Sequence, residues 1–269
     1  MPHPLLKFPT SLHEQAAETA YEFFAPQSAV DTVLVVNSCA RGQAVPESDL
    51  DMAVLLDPDV PETEATRLER LWGQALAENR VLLAFQDIGE HAHVHLDLVR
   101  GKYTPEVWDD GGGPDGFELG IGNQVAYGAP MYGAGPYYRA LQAQWLPYYA
   151  ADLRQQRLEM TRAACLYDLG HVPFFVKREL YFQAFDRLYK GFQEFLQALF
   201  IARRVYPLAY NKWIHLQVAT WLGLPELYRA LPRVISVENI ESDVLIDRAS
   251  DLKALLNQWA VDQPNPPPA

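Results

Sequence analysis

The chain has 269 residues, about half of them hydrophobic, with 34 acidic against 22 basic side chains. That length serves one large domain or two ordinary ones, and a net charge of −12 argues against a surface that neutralises many nucleic-acid phosphates. Cys39 and Cys165 form neither a disulfide framework nor a paired metal motif, the opening Met1-Pro2-His3-Pro4 lacks a basic segment followed by an apolar run, and no apolar run approaches a membrane span, so a soluble cytoplasmic protein is expected.

Ser11-Leu12-His13-Glu14 has capping-box spacing and predicts a helix from about Leu12 to Phe24, closed off by Pro26. Asp31 to Val36 reads as a strand, and its apolar, β-branched core suits one covered on both faces. A helix over Glu62 to Asn79 then separates strands at Leu50 to Leu56 and His93 to Val99. The Gly- and Pro-dense stretch from Gly101 to Gly135 reads as loop, including Gly111-Gly112-Gly113-Pro114, with Gln124 to Tyr127 as an edge strand. Long helices follow, from about Arg139 to Leu169 and Val176 to Val205. Phe182, Phe185, Leu188, Phe192, Phe195, Leu199 and Phe200 form the core stripe of the second. Pro207 ends it, Asn211 to Trp221 starts another helix, and Asp251 to Trp259 supplies the last. The expected fold class is therefore α+β: a mixed-sheet domain over 1–135, an α-helical bundle over 136–262, and a disordered tail over 263–269.

The chemistry lies in Asn37-Ser38-Cys39-Ala40-Arg41-Gly42 and in Glu47-Ser48-Asp49-Leu50-Asp51. Strand alternation turns Asp49 and Asp51 to one side while Leu50, Met52, Val54 and Leu56 pack on the other. Close carboxylates repel unless a cation lies between them, and Mg²⁺ favours such carboxylates together with phosphate oxygens. In His93-Val94-His95-Leu96-Asp97-Leu98-Val99 the same alternation exposes Asp97, so pairing of these two strands gives one patch three carboxylates, suited to a two-metal in-line displacement. The turn at Asn37-Ser38 leaves a buried strand and opens a short helix, offering backbone N–H groups and the Ser38 hydroxyl to β- and γ-phosphates, with Arg41 behind the turn or on the phosphate.

The run Asn37-Ser38-x-x-Arg41-Gly42, then Ser48-Asp49-x-Asp51, then a lone Asp97 resembles the DNA polymerase beta-like nucleotidyltransferase superfamily, whose pattern is Gly-Ser, Asp-x-Asp and a third Asp. Among its branches the chain looks most like small bacterial enzymes with a helical C-terminal domain, including the adenylyltransferases that modify aminoglycosides and lincosamides. The motifs span about Asp31 to Val99. The resemblance implies that Asp49 and Asp51 bind two Mg²⁺ ions, that Asp97 completes one metal site, and that Ser38 holds the triphosphate. ATP is then the expected donor by family frequency, with another nucleoside triphosphate as the alternative. The acceptor is a hydroxyl of a small molecule, or a protein side chain as in toxin and antitoxin systems; nucleic acid and membrane are not expected partners. Asn211-Lys212-Trp213 is also similar to segments of bacterial relatives, and Lys212 or Lys190 is expected to reach the triphosphate across an interdomain cleft. The family's Gly is Asn37 here, and Asn tolerates positive φ better than most residues. A catalytically silent nucleotide-binding module is the rival reading from another class.

His93 and His95 lie in step with Asp97, as does His91, and serve either as metal ligands or base near the acceptor, or as a polar strand face. Glu179 and Asp186 fit a solvated helix face, the aromatics Tyr181, Tyr189, Tyr206, Tyr210 and Trp213 fit core better than stacking, and Cys39 fits small buried filler.

Overall fold

Thr10, not Ser11, caps the first helix: its hydroxyl accepts from the His13 backbone N–H, and α1 runs over Ser11–Phe24 with Pro26 just beyond. The computed structural model describes residues 6–90 and 92–262, so the N-terminal tetrapeptide, His91 and the expected tail over 263–269 lie outside the described residues. Ala16, Ala17, Ala20 and Phe24 of α1 are buried, the spacing of one apolar helix face.

Strand β1 (Val30–Val35) leads through the short helix α2 (Asn37–Ala40) to β2 (Leu50–Leu56). After α3 (Glu62–Glu78) comes an unanticipated helix, α4 (Arg80–Gln86). Asn79, which reads as a helix end, is also the cap of α4: its side chain accepts from the N–H groups of Val81 and Leu82. Strand β3 (Val94–Val99) follows, then α5 (Phe117–Ile121), a π-helical turn at Gly122–Ala126 and β4 (Ala129–Pro130). The edge strand expected at Gln124 to Tyr127 thus begins two residues after that segment. The Gln124 side chain accepts from the Tyr103 hydroxyl, and the Gln124 and Val125 carbonyls accept from Tyr138, so these groups are not offered to a ladder. The sheet order is β3-β2-β1-β4, with β2 and β3 parallel and the other pairs antiparallel.

Packing divides the chain into two compact units, one of residues up to Thr104 with Gly120–Pro147, the other of Pro105–Leu119 with residues from Tyr148 onward. In the first, α6 (Pro136–Trp145) is capped from a distance: the Asp31 carboxylate of β1 accepts from the N–H groups of Tyr137 and Tyr138 at 2.9 and 3.0 Å. The core of this unit joins α1, β1, β2, α3 and α4 through side chains such as Phe24, Leu50, Leu68, Trp72 and Phe85.

The second unit is all-helical: α7 (Ala151–Val176), α8 (Tyr181–Arg203), a π-helical segment at His215–Trp221, α9 (Pro225–Val234) and α10 (Val244–Trp259). The expected helix from Arg139 to Leu169 is broken after Trp145. Pro147 disfavours helical backbone at Leu146, which is extended. The second expected helix breaks at Glu179, whose φ of 59° is left-handed. Of the predicted stripe, Leu188, Phe192, Phe195, Leu199 and Phe200 are buried and Phe185 partly so, but Phe182 is 74% exposed. The helix expected from Asn211 starts only at His215, α9 was not anticipated, and α10 begins at Val244, ahead of Asp251. Helices α7 and α8 approach closely at Gly191, where a Cβ would meet Leu169 at 2.8 Å. The architecture is thus a small mixed four-stranded sheet flanked by helices, followed by a large all-helical part. Among the described residues, no helix is long and apolar enough to cross a membrane.

One side chain in the α8 core couples stability to pH. Glu194 is 1% exposed, and its carboxyl is pushed up to about 8 by burial and then by Asp168, against Arg187 and Lys190. Between the unfolded carboxyl value of about 4.3 and that folded value, the folded state holds a proton the unfolded chain has lost. The contribution to stability is therefore full below that window, declines as pH rises through it, and is gone above about 8. Denaturant midpoints measured from pH 6 to 9 should fall with pH in wild type. Glu194→Gln should flatten that decline, and an equal slope in the two proteins would refute the assignment.

Candidate functional site

The three carboxylates lie on the first unit's sheet, spread over two neighbouring strands. Strands β2 and β3 pair in parallel with Asp51 opposite His95 and Ala53 opposite Asp97, so Asp51, His95 and Asp97 share one face by strand alternation, and Asp49, one residue ahead of β2, lies beside His95. His95, not Asp97, is the direct cross-strand neighbour of Asp51. Its Nε2 lies 4.0 Å from Asp49 Oδ2, and the two side chains are 53% and 40% exposed. Asp97 is exposed one pleat repeat further on. The His93 and His95 rings touch edge to face at 4.0 Å, so the histidines flank the carboxylates as a pair.

The β1–α2 turn is tied to the same place. The Val36 N–H donates to the Asp51 carbonyl at 3.0 Å, which sets Asn37 and Ser38 directly beyond Asp51. Asn37 has φ 55°, the left-handed conformation that Gly adopts freely and Asn tolerates. Asn37→Gly should therefore leave the denaturation midpoint within about 1 kcal/mol of wild type, whereas Asn37→Val should cost about 1–2 kcal/mol. A Val variant as stable as wild type would show that the turn is not held left-handed.

Ser38 is half-buried, and its carbonyl accepts from the Gln43 N–H at 2.9 Å, closing the turn. Cys39 is buried, and its thiol is pushed up to about 12 by burial and by the charges of Asp51 and Asp49, so it is filler rather than a nucleophile. Arg41 is 8% exposed beneath the turn. Its Nε donates to Gln43 at 3.2 Å, while Nη1 is buried with no hydrogen-bond partner among the described residues. Burial lowers the Arg41 pKa, while Asp51 and Tyr127 favour its charged form.

His13 is the positioning residue that sequence reasoning missed. It is fully buried on α1 and bridges Thr10 Oγ1 at 2.8 Å and the Ser48 carbonyl at 3.0 Å. A carbonyl only accepts, so Nε2 carries the proton and Nδ1 accepts from the Thr10 hydroxyl. Burial lowers its pKa, which favours this neutral form. The imidazole thereby holds the backbone immediately before Asp49. A lone histidine on a helix carries no signal of such a contact, because the partner is 35 residues away.

No protein-family model matches the chain, and no curated protein is detectably similar to it.

Among the described residues, no group of three or more His, Cys, Asp or Glu side chains is gathered closely enough to hold an ion by itself. The face offers hard oxygen donors in an open arrangement. Mg²⁺ keeps several waters and takes one or two carboxylates plus substrate phosphates, so Asp49, Asp51 and Asp97 are the residues of this face that could hold it. Lys190 and Lys212 belong to the helical unit. Lys190 pairs with Asp186 at 2.9 Å, and Lys212 is exposed, its carbonyl accepting from Gln217. Neither is among the groups brought to the carboxylate face within the first unit.

Proposed function

We propose that this chain is a Mg²⁺-dependent nucleotidyltransferase of the polymerase beta-like kind, moving a nucleoside monophosphate, AMP from ATP in the first instance, onto a hydroxyl of a small acceptor. One observation carries the reading: Asp51 shares a face with Asp97 across a parallel pair, Asp49 lies one residue ahead of β2, and the Asn37-Ser38 turn is pinned to the Asp51 carbonyl.

Asp49 and Asp51 would hold the ions and Asp97 would complete one site. Bound Mg²⁺ supplies neutralisation of the charge that builds on the phosphoryl oxygens and the leaving pyrophosphate. The chain's own groups do the rest. Ser38 Oγ–H and the N–H groups of the turn receive the β- and γ-phosphates, and the unsatisfied Arg41 Nη1 adds positive charge from below. The acceptor oxygen attacks the α-phosphorus in line, the bond to the bridging oxygen breaks, and pyrophosphate leaves. Asp97 and His95 lie on this face and could take the acceptor's proton.

The test is pyrophosphate release from each nucleoside triphosphate, with and without Mg²⁺, in the presence of aminoglycosides, lincosamides or a cell lysate. Release with a small-molecule pool supports the proposal. Release confined to the protein fraction of the lysate moves the acceptor to a protein side chain. Triphosphate binding without release under any condition replaces the enzyme with a silent nucleotide-binding module.

A further inference from the structure

Within the helical unit, the segment Pro105–Leu119 does not behave as the free loop its glycines suggest. Gly111 has φ 71° and lies so close to Arg187 that a Cβ there would overlap the guanidinium, and Arg187 in turn pairs with Asp168 at 2.5 Å. Asp115 is bound by both Arg157 and Gln197. Held at both points, the loop roofs a cavity of about 180 Å³ against α7 and α8, room for several non-hydrogen atoms.

Its wall carries an uncompensated acceptor. Glu194 of α8 lines the cavity at 1% exposure, and neither carboxyl oxygen has a hydrogen-bond partner among the described residues. A buried carboxyl normally finds a donor or a counter-charge. Trp108, on the roof, has the complementary defect: its Nε1–H is buried and also unpartnered, while the ring stands edge-on to Tyr167 at 5.1 Å. The cations near Glu194 are committed elsewhere, Arg187 to Asp168 and Lys190 to Asp186. Neither lines the cavity, and the remaining titratable residues that do, Glu106, Asp109 and Asp115, are acidic. The Cys165 thiol, in the field of Glu194, is itself pushed up by burial and brings no positive charge.

We infer that this cavity binds a small organic cation carrying a primary ammonium group and a hydrogen-bond-accepting oxygen, with Glu194 as counter-ion and the Trp108 indole N–H as donor to the oxygen. The ammonium gives Glu194 the charge-assisted bonds it lacks. An oxygen a few bonds away satisfies the indole, and Met160 offers apolar contact to the carbon skeleton between them. An organic cation is favoured over a metal ion because the Trp108 N–H needs an acceptor, which a bare metal cation does not carry. All these groups belong to the helical unit, so the inference stands apart from the nucleotidyl-transfer reading.

The test uses the full chain at pH 8, titrated calorimetrically with ethanolamine and, as the uncharged match, ethylene glycol. Ethanolamine should bind and ethylene glycol should not. Glu194→Gln should weaken ethanolamine about tenfold or more while its denaturation midpoint stays level or rises, and Trp108→Phe should weaken it several-fold. A crystal soaked in ethanolamine should place the amine nitrogen within hydrogen-bond distance of Glu194. No binding of ethanolamine, equal binding of the two probes, or unchanged affinity in Glu194→Gln would overturn the inference and leave the cavity to water.

Discussion

Asp51→Asn should lower Mg²⁺-dependent pyrophosphate release by about 10³-fold while leaving the far-ultraviolet circular dichroism and denaturation midpoint near those of wild type. The substitution preserves the volume of the side chain on β2 and leaves untouched the backbone carbonyl that accepts from Val36, so the β1–α2 turn keeps its anchor. What it removes is the negative charge opposite His95, at the centre of the carboxylate face. An amide is a poor ligand for a hard divalent ion, and a carboxylate that organises charge where phosphoryl transfer occurs contributes several kcal/mol to the barrier reduction. Asp59→Asn is the matched control, because Asp59 lies on the β2–α3 connection and not on this face. If Asp51→Asn retains activity within about twofold, with its Mg²⁺ dependence intact, the assignment of this face to the metals fails even though the enzyme stands.

Arg157→Met should destabilise the helical unit by about 3–5 kcal/mol, the largest stability loss expected in the chain. Arg157 is 2% exposed on α7, and its guanidinium makes paired bonds to two carboxylates. Glu118 accepts from Nε and Nη2 at 2.8 and 2.6 Å, and Asp115 from Nη1 and Nη2 at 2.7 Å each. Gln197 of α8 donates to both acids, Tyr149 donates to Glu118 at 2.8 Å, and the cation lies 4.8 Å from the centre of the Phe117 ring. Methionine matches the apolar volume of the arginine stem but leaves Glu118, fully buried, and Asp115 beside it without their counter-charge. The penalty arises from those stranded carboxylates more than from lost attraction, so adding Glu118→Gln to Arg157→Met should recover part of the loss. Chemical denaturation of the single and double variants decides it: a loss below about 1 kcal/mol in the single variant, or a double variant no more stable than the single, contradicts this account.

Legibility in the sequence followed the range of the forces involved. The alternation of Leu50, Met52, Val54 and Leu56 with Asp51 in a strand of seven residues is a local pattern, and β2 has the limits it predicts. Asn37 departs from the resembling family's glycine, yet occupies the left-handed backbone that the turn demands, because a short amide side chain pays little at positive φ. The long helices were legible as helical but not as separate elements. The stop after Trp145 depends on how Pro147 acts on Leu146, and Pro173, an equally plain signal, lies inside α7. Phe182 fits the apolar period of α8 and is exposed nonetheless, since it sits on the helix's first turn, where periodicity does not say whether a neighbour packs above it.

Local pattern alone yields the elements of the candidate site: a β-branched strand into a tight turn, two carboxylates in step at the start of the next strand, and a third acid on a later one. Each follows from side-chain alternation and backbone preference over a few residues. The long-range pairings emerge only in the folded chain. The parallel register puts His95 across from Asp51, α1 lends His13 to hold Ser48, Asp31 caps α6 more than a hundred residues away, and a glycine-rich stretch becomes the roof over Glu194. These are pairings of groups distant along the chain, selected because buried donors, acceptors and charges must find partners, and no local pattern encodes which partner is within reach.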